Sequence, residues 1–431
     1  MVARVKIWNQ LVGAVLWDKN AGIARFEFDE HFLKQGLDLS PVRMPVAEAL
    51  TGKKIYSFPA LPFETYRGLP GLLADSLPDR FGNQLLDTWF ARQGKDPEQI
   101  DPVERLCYIG KRGMGALEFE PSGELTANTS EHLEIKDLVN LAKKVMNEHH
   151  DLKTNIHINS DEGLKQIISV GTSAGGARAK AIIAYNETTG DVRSGQMDEL
   201  EHYSYWIIKF DGVTNKTLGD PKDYCRIEYA YYLMARDCGI IMAESKLLEE
   251  NKRAHFMTKR FDRPQGNTKL HMQTLCGLAH FDYNNPVAYS YEQTFQVMRQ
   301  LRLPYNDAEQ LFIRMVFNVM ARNQDDHTKN IAFLMDQQGT WSLAPAYDIT
   351  YAYDPNNKWI RSHQLSLNGK RDDINKADLL AVAKEMNIKK ANDLVDRVAA
   401  SIQQWKKFAT QAGLPKEQTA AIAKAHILYT L

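Results

Sequence analysis

The chain has 431 residues, enough for several domains of roughly 100 to 200 residues or for one large bilobed unit. Apolar residues make up 44% and charged residues 25%, a balance that excludes disorder and allows a sizeable core. Lys plus Arg number 53 against 54 Asp plus Glu, a net charge of −1, so no overall basic field is available to hold a nucleic-acid backbone.

Strands open the chain. Val5 to Trp17 is rich in β-branched and aromatic residues, interrupted by Asn9, Gln10 and Gly13, and reads as a hairpin. Its apolar run Leu11 to Trp17 is too short to span a bilayer and is followed at once by Asp18 and Lys19, so neither a signal peptide nor a membrane span is expected. Cys107, Cys225, Cys238 and Cys276 have no CxxC spacing, which argues against a disulfide framework or a thiolate zinc site and fits a cytoplasmic location. Ser76 with Asp79 resembles a capping box before Phe81, Leu85, Leu86, Trp89 and Phe90 at helical spacing. Residues 120 to 132 read as a surface loop between two lobules.

From about residue 164, apolar runs alternate with a glycine-rich loop and a polar turn and end in YSYWIIKF, the pattern of an antiparallel sheet. Ile227, Ala230, Tyr231, Met234 and Cys238 then form a helical stripe that Gly239 is placed to end. The stretch FMTKRFDRPQGNTKLHM reads as a further hairpin with PQGN as its turn. Beyond residue 285 the pattern is helical, notably Asp307 to Asn323 and the stripe Leu394, Val395, Val398, Ile402 and Trp405. One exception lies between them: NIAFLMDQQGTWSLAPAYD, two short strands joined at a Gln-Gly turn.

That exception frames the chemistry. NQDDHTKN places Asp325 before Asn330 at the D-x-x-x-x-N spacing of a kinase catalytic loop, and Asp348 follows the hairpin. Pairing the two strands brings Asn330 and Asp348 together as two oxygen ligands for Mg²⁺, which must bridge ATP phosphates during phosphoryl transfer. Asp325 is then the base for the substrate hydroxyl. Lys209 ends an apolar strand, where an ammonium is costly unless it meets phosphate and an acidic partner. Glu228, on the next helix, is the candidate partner. Upstream, Gly171 to Lys180 offers Gly171, Ser173, Gly175, Gly176 and Ala177, whose small side chains leave backbone N–H groups open to phosphate, with Lys180 closing the loop. No GKS or GKT is present, so this is not a Walker loop. Each feature alone has a bland reading as cap, turn or snorkelling lysine. Their order is that of a protein kinase.

With these motifs, and with the phrase YRGLPGLLADSLPDRFGNQLLD from Tyr66 to Asp87, the chain resembles the HipA family of bacterial toxin kinases over nearly its whole length. The resemblance implies an α+β, protein-kinase-like bilobed fold with a mixed N-terminal lobe, an all-helical C-terminal lobe and ATP between them. The expected division is a strand-rich region 1–120, an N-lobe 121–262 and a C-lobe 263–431. It implies a serine/threonine protein kinase using ATP and Mg²⁺, with Asp325 as base, Asn330 and Asp348 as metal ligands, Lys209 on phosphate, and Lys259, Arg260 and Phe261 near adenine. Lys259 stands where many relatives carry an acid, which favours a backbone contact there. Ser173, with Thr172 beside it, matches the family's autophosphorylation position, where added charge would oppose ATP binding. Also implied are an aminoacyl-tRNA synthetase as protein substrate and a helix-turn-helix antitoxin through which the pair meets operator DNA.

Two other classes compete. One is a nucleotide-binding co-repressor scaffold, which the intact Asp325, Asn330, Asp348 and Lys209 oppose. The other is a metal-dependent hydrolase on Asp325, Asp326 and His327, with His271 or His280, which leaves Lys209 and the glycine-rich loop unexplained.

Overall fold

The computed structural model describes residues 1–122, 132–147, 178–195, 200–213, 223–264 and 268–429. The chain folds as two compact units: the first takes residues 1–38, 46–225 and 245–272, the second residues 39–45, 226–244 and 273–431. The class is α+β, as expected.

In the first unit the opening hairpin is present. Strands β1 (Val2–Ile7) and β2 (Gln10–Asp18) pair antiparallel across Trp8 and Asn9, whose φ values of 47° and 63° are both left-handed. A two-residue turn of this hand matches the twist of the strands it joins. Gly13 is required beside the shift in register, because a Cβ there would lie 2.1 Å from the Glu27 carbonyl oxygen. With β3 (Ile23–Phe28), β4 (Ile55–Tyr56) and β5 (Leu117–Glu120) they form a five-stranded sheet in the order β4-β3-β2-β1-β5.

The helix Arg80–Arg92 is capped by Asp79 and not by Ser76: the Asp79 carboxylate accepts from the Gly82 N–H at 2.6 Å. Its apolar stripe, from Phe81 to Phe90, shares one core with Leu138 and Val139 of the helix Ile135–Asn147. A second sheet lies in the same core, with β6 (Lys180–Tyr185), β7 (Val192–Ser194), β8 (Ser204–Lys209), β9 (Ser245–Glu250) and β10 (Arg253–Lys259) in the order β7-β6-β8-β10-β9. Ile183, Trp206 and Met257 give the core its share of that sheet. Side chains alternate between faces along a strand, so the register Lys180 to Lys209 to Phe256 places those three on the other face.

One expected pairing is corrected. β10 does not form a hairpin across PQGN; it pairs with β9 through a turn at Asn251 and Lys252, with φ of 49° and 63°. β11 (His271–Thr274), where the chain passes into the second unit, belongs to a three-stranded sheet in the order β11-β12-β13. Apolar runs flanking a turn signal suit several partners, so the turn signal alone does not fix which strand is paired. Gln265, Gly266 and Asn267 of the expected turn, most of the 120–132 loop and the start of the glycine-rich region lie outside the described residues.

The second unit is mainly helical. Its central helix, Tyr305–Met320, is buried at every position from Leu311 to Met320, as a helix packed on all sides must be. The helix Ala391–Gln403 packs against it. Helix Tyr224–Asp237 ends at Gly239, whose φ is 91°; within this unit Tyr231 donates to the Ala321 carbonyl at 2.6 Å and Met234 accepts from Ser401 at 2.8 Å. The inserted hairpin is as expected, with β12 (Ala332–Met335) pairing β13 (Trp341–Leu343). Asp336 closes its turn by accepting from the Gln338 and Thr340 N–H groups, both at 2.9 Å, with Gly339 at φ 82°. Among the described residues no helix is long and apolar enough to cross a membrane.

Candidate active site

The loop after the central helix is tied down at its start. Asn323 donates its side-chain amide to Asn318 Oδ1 and its backbone N–H to the Asn318 carbonyl, both at 2.9 Å. Gln324 N–H donates to the Ala352 carbonyl, also at 2.9 Å. The next side chain, Asp325, is 49% exposed. At the far end of the loop, Asn330 Nδ2 donates to the Asp325 carbonyl at 2.7 Å. Only the nitrogen end of an amide can donate, so this bond sets the Asn330 oxygen as the end left for a cation. Tyr347, across the hairpin, donates its hydroxyl to the Lys329 carbonyl at 2.5 Å.

Asp348 follows shortly after β13. Ala344 N–H donates to the Ala332 carbonyl at 2.9 Å and Ala346 N–H to the Ile241 carbonyl at 2.8 Å, which carries the strand direction past the hairpin. Asn330, just before β12, and Asp348, beyond β13, therefore occupy the same open end of one hairpin. Asp348 is half-buried and has φ 52°, a left-handed backbone that Asp and Asn tolerate better than most residues. An amide and a carboxylate oxygen are a donor set that suits Mg²⁺. Among the described residues no group of three or more His, Cys, Asp or Glu side chains is arranged to hold a metal, and an Asn–Asp pair is not such a group.

Asp326 differs entirely from its neighbour. It is 3% exposed and accepts from the Tyr291 hydroxyl at 2.7 Å, His363 Nδ1 at 2.9 Å and the Gln364 N–H at 2.7 Å. Burial, the largest influence, pushes its carboxyl up, but His363, Tyr291 and the Gln364 N–H together outweigh it and hold the group below its usual value. A hydrolase built on Asp325, Asp326 and His327 thus loses its second carboxylate to structure. Of the histidines offered to it, His271 is fully buried, and burial with Arg43 nearby pushes His280 down to about 3. Tyr291, His363, Gln364 and Asn318 were not legible as partners; the acidic doublet was the only local signal.

In the first unit Lys209 is 7% exposed, with its ammonium 5.7 Å from the centre of the Phe256 ring. Lys180, 3% exposed, meets Asp79 at 3.4 Å. Lys259 is half-buried at the end of β10. Arg260 donates from Nε and Nη2 to the two Asp262 oxygens at 3.0 and 2.7 Å, and Arg263 adds a bond to the same carboxylate at 2.7 Å. The Arg260 guanidinium is committed there and its backbone N–H donates to the Tyr205 carbonyl at 2.8 Å, while Phe261 is half-buried beside it. Gly115 N–H donates to Asp262 as well, at 2.8 Å. Glu228 is 2% exposed on the helix Tyr224–Asp237 of the second unit. Gly171, Thr172, Ser173, Gly175, Gly176 and Ala177 lie outside the described residues.

Comparison with known proteins decides the family. The model described as HipA-like C-terminal domain matches residues 172–425, and the HipA N-terminal domain matches residues 3–120. The chain belongs to the HipA family. A solved structure of HipA from Shewanella oneidensis MR-1, in a complex with HipB and its operator DNA, has TM-score 0.65 at 16% identity, covering 98% of this chain and 94% of that one. At that identity the likeness shows a common fold. The Helicobacter pylori proinflammatory kinase CtkA follows with TM-score 0.33 at 12% identity, covering 52% of this HipA-family chain and 88% of its own, a likeness too slight to carry an argument. No curated protein matches significantly.

Proposed function

We propose that this HipA-family chain is the toxin of a toxin–antitoxin pair and acts as an ATP- and Mg²⁺-dependent serine/threonine protein kinase. The observation that carries this reading is the arrangement at the end of one hairpin: a half-exposed Asp325, an Asn330 amide turned by its bond to the Asp325 carbonyl, and Asp348. Asp325 takes the proton of a substrate hydroxyl while that oxygen bonds to the γ-phosphorus and the bond to the β,γ-bridging oxygen breaks, leaving ADP. Asn330 and Asp348 are the residues that would hold Mg²⁺, whose charge offsets that of the phosphates. Lys209 supplies a buried cation for phosphate, with Glu228 as its proposed acidic partner and Lys180 as a second basic group. The glycine-rich loop is proposed to lie over the nucleotide, with Ser173 as the autophosphorylated residue, and the backbone of 259–261 to receive adenine.

The partner is proposed to be a small DNA-binding antitoxin, supported by the complex in which the Shewanella HipA was solved with HipB and operator DNA. With a net charge of −1, contact with DNA would run mainly through that antitoxin. An aminoacyl-tRNA synthetase is the proposed protein substrate, and the cytoplasm the place of action.

The test is incubation of wild type and Asp325→Ala with ATP and Mg²⁺, followed by intact mass and a proteome-wide search for new phosphoproteins. One added phosphate on the wild type and none on the variant is expected. No phosphate on either, with the antitoxin removed, would favour a nucleotide-binding co-repressor scaffold instead.

A further inference from the structure

The loop that carries Asp325 holds a second carboxylate that phosphoryl transfer does not need. Burying a carboxylate is expensive, and a buried ionic group is weak grounds for stability by itself, so what Asp326 holds together is the informative question. Its oxygens join three residues at two places in the second unit: Tyr291 at the start of the helix Tyr291–Gln300, and His363 and Gln364 in the segment downstream of Asp348. Behind Tyr291, Asn318 of the central helix donates to the same hydroxyl at 3.0 Å and accepts from Asn323 at 2.9 Å. The network therefore begins and ends on the loop 323–330. On its far side His363 is held by Arg371, whose Nε donates to the His363 carbonyl at 2.5 Å and whose carbonyl accepts the His363 N–H at 3.1 Å.

In protein kinases the segment after the metal-binding Asp is commonly ordered by a phosphate added to it, paired with arginine. In this chain a carboxylate built into the catalytic loop makes the corresponding tie, and it needs no modification to be charged. We infer that Asp326 is a positioning residue: it clamps the loop bearing Asp325 and Asn330 to the segment 361–366 and so sets where Asp325 stands relative to Asp348. Its catalytic consequence rests on the kinase reading; the clamp itself does not. A reacting group displaced by about 1 Å costs on the order of 100-fold in rate, so the clamp has leverage without touching substrate.

The test uses the full chain and the variants Asp326→Asn and Tyr291→Phe, the second removing one hydroxyl while keeping the ring. Hydrogen exchange over 361–366 is read in both, alongside kcat and the KM for ATP. Expected are faster exchange in that segment, a fall in kcat of about 100-fold for Asp326→Asn and a smaller one for Tyr291→Phe, and a KM within about 2-fold of wild type, the signature of lost transition-state alignment. Unchanged exchange in both variants overturns the clamp. So does a loss of kcat matched by an equal rise in KM and a lower melting temperature, which marks general loosening. If the wild type transfers no phosphate, the kinase reading fails and the exchange measurement still decides the clamp.

Discussion

Lys180 and Lys209 stand directly opposite one another on β6 and β8, both buried. Like charges so placed repel and must be answered by anions. Asp79 answers Lys180 at 3.4 Å, and the kinase reading assigns phosphate to Lys209.

Lys209→Met keeps the aliphatic stem beside Phe256 and removes only the charge. Nucleotide affinity is expected to fall at least about 10-fold, the worth of a charge-assisted hydrogen bond, with the circular dichroism spectrum retained. Titration with a fluorescent ATP analogue in Mg²⁺ measures it. Wild-type affinity would remove Lys209 from the phosphate site.

Asp79→Asn separates charge from capping, since Asn caps a helix as well as Asp does. It leaves the buried Lys180 ammonium without its carboxylate at an expected cost of about 3 kcal/mol, read from the shift in urea midpoint. A change below about 0.5 kcal/mol would mean that the pair is not what holds Lys180 in the core.

Asp348 combines a left-handed φ of 52° with a proposed metal role. Asp348→Asn is expected to melt with the wild type, because Asn accepts that backbone, whereas Asp348→Ala loses about 1 kcal/mol more. Both should lose Mg²⁺-dependent phosphoryl transfer. Full activity in Asp348→Ala would rule out its carboxylate as a ligand.

Two histidines, the buried His280 and the half-buried His426, are expected to set a pH dependence. Burial, with Arg43 adding to it, depresses His280 to about 3; burial, with Arg322, depresses His426 to about 4. Unfolded, both titrate near pH 6.5. A depressed folded pKa means that the stability is fully present above pH 6.5 and is lost as pH falls from there toward about 4 for His426 and about 3 for His280, because the unfolded chain binds protons that the folded chain refuses. The loss by pH 5 is about 1 to 2 kcal/mol for each. Urea unfolding at pH 7.5 and 5.0 should show a smaller drop in the double variant His280→Gln and His426→Gln; equal drops would assign the acid sensitivity to other groups.

Local patterns were legible where one short stretch of chain decides the outcome. The hairpins at Trp8–Asn9 and Gln338–Gly339, the buried stripe from Phe81 to Phe90 and the core helix beginning near Asp307 follow from alternation, turn chemistry and helical spacing. The pairing of β10 was not legible, because its apolar face fits more than one neighbour. Nor was the fate of Arg260, since a guanidinium reads as available until Asp262 and the backbone at 113–115 are seen around it.

Asp325 and Asp326 mark where the two levels part. The order of glycine-rich loop, strand lysine, helix glutamate and D-x-x-x-x-N followed by a second Asp is written in the chain, and with it the family, because motif spacing is a property of the covalent sequence. Which of two identical neighbouring carboxylates reaches solvent and which is sealed against Tyr291, His363 and Gln364 was decided by tertiary structure alone. Burial and hydrogen bonding depend on partners tens of residues away, and no local pattern encodes what those partners will surround.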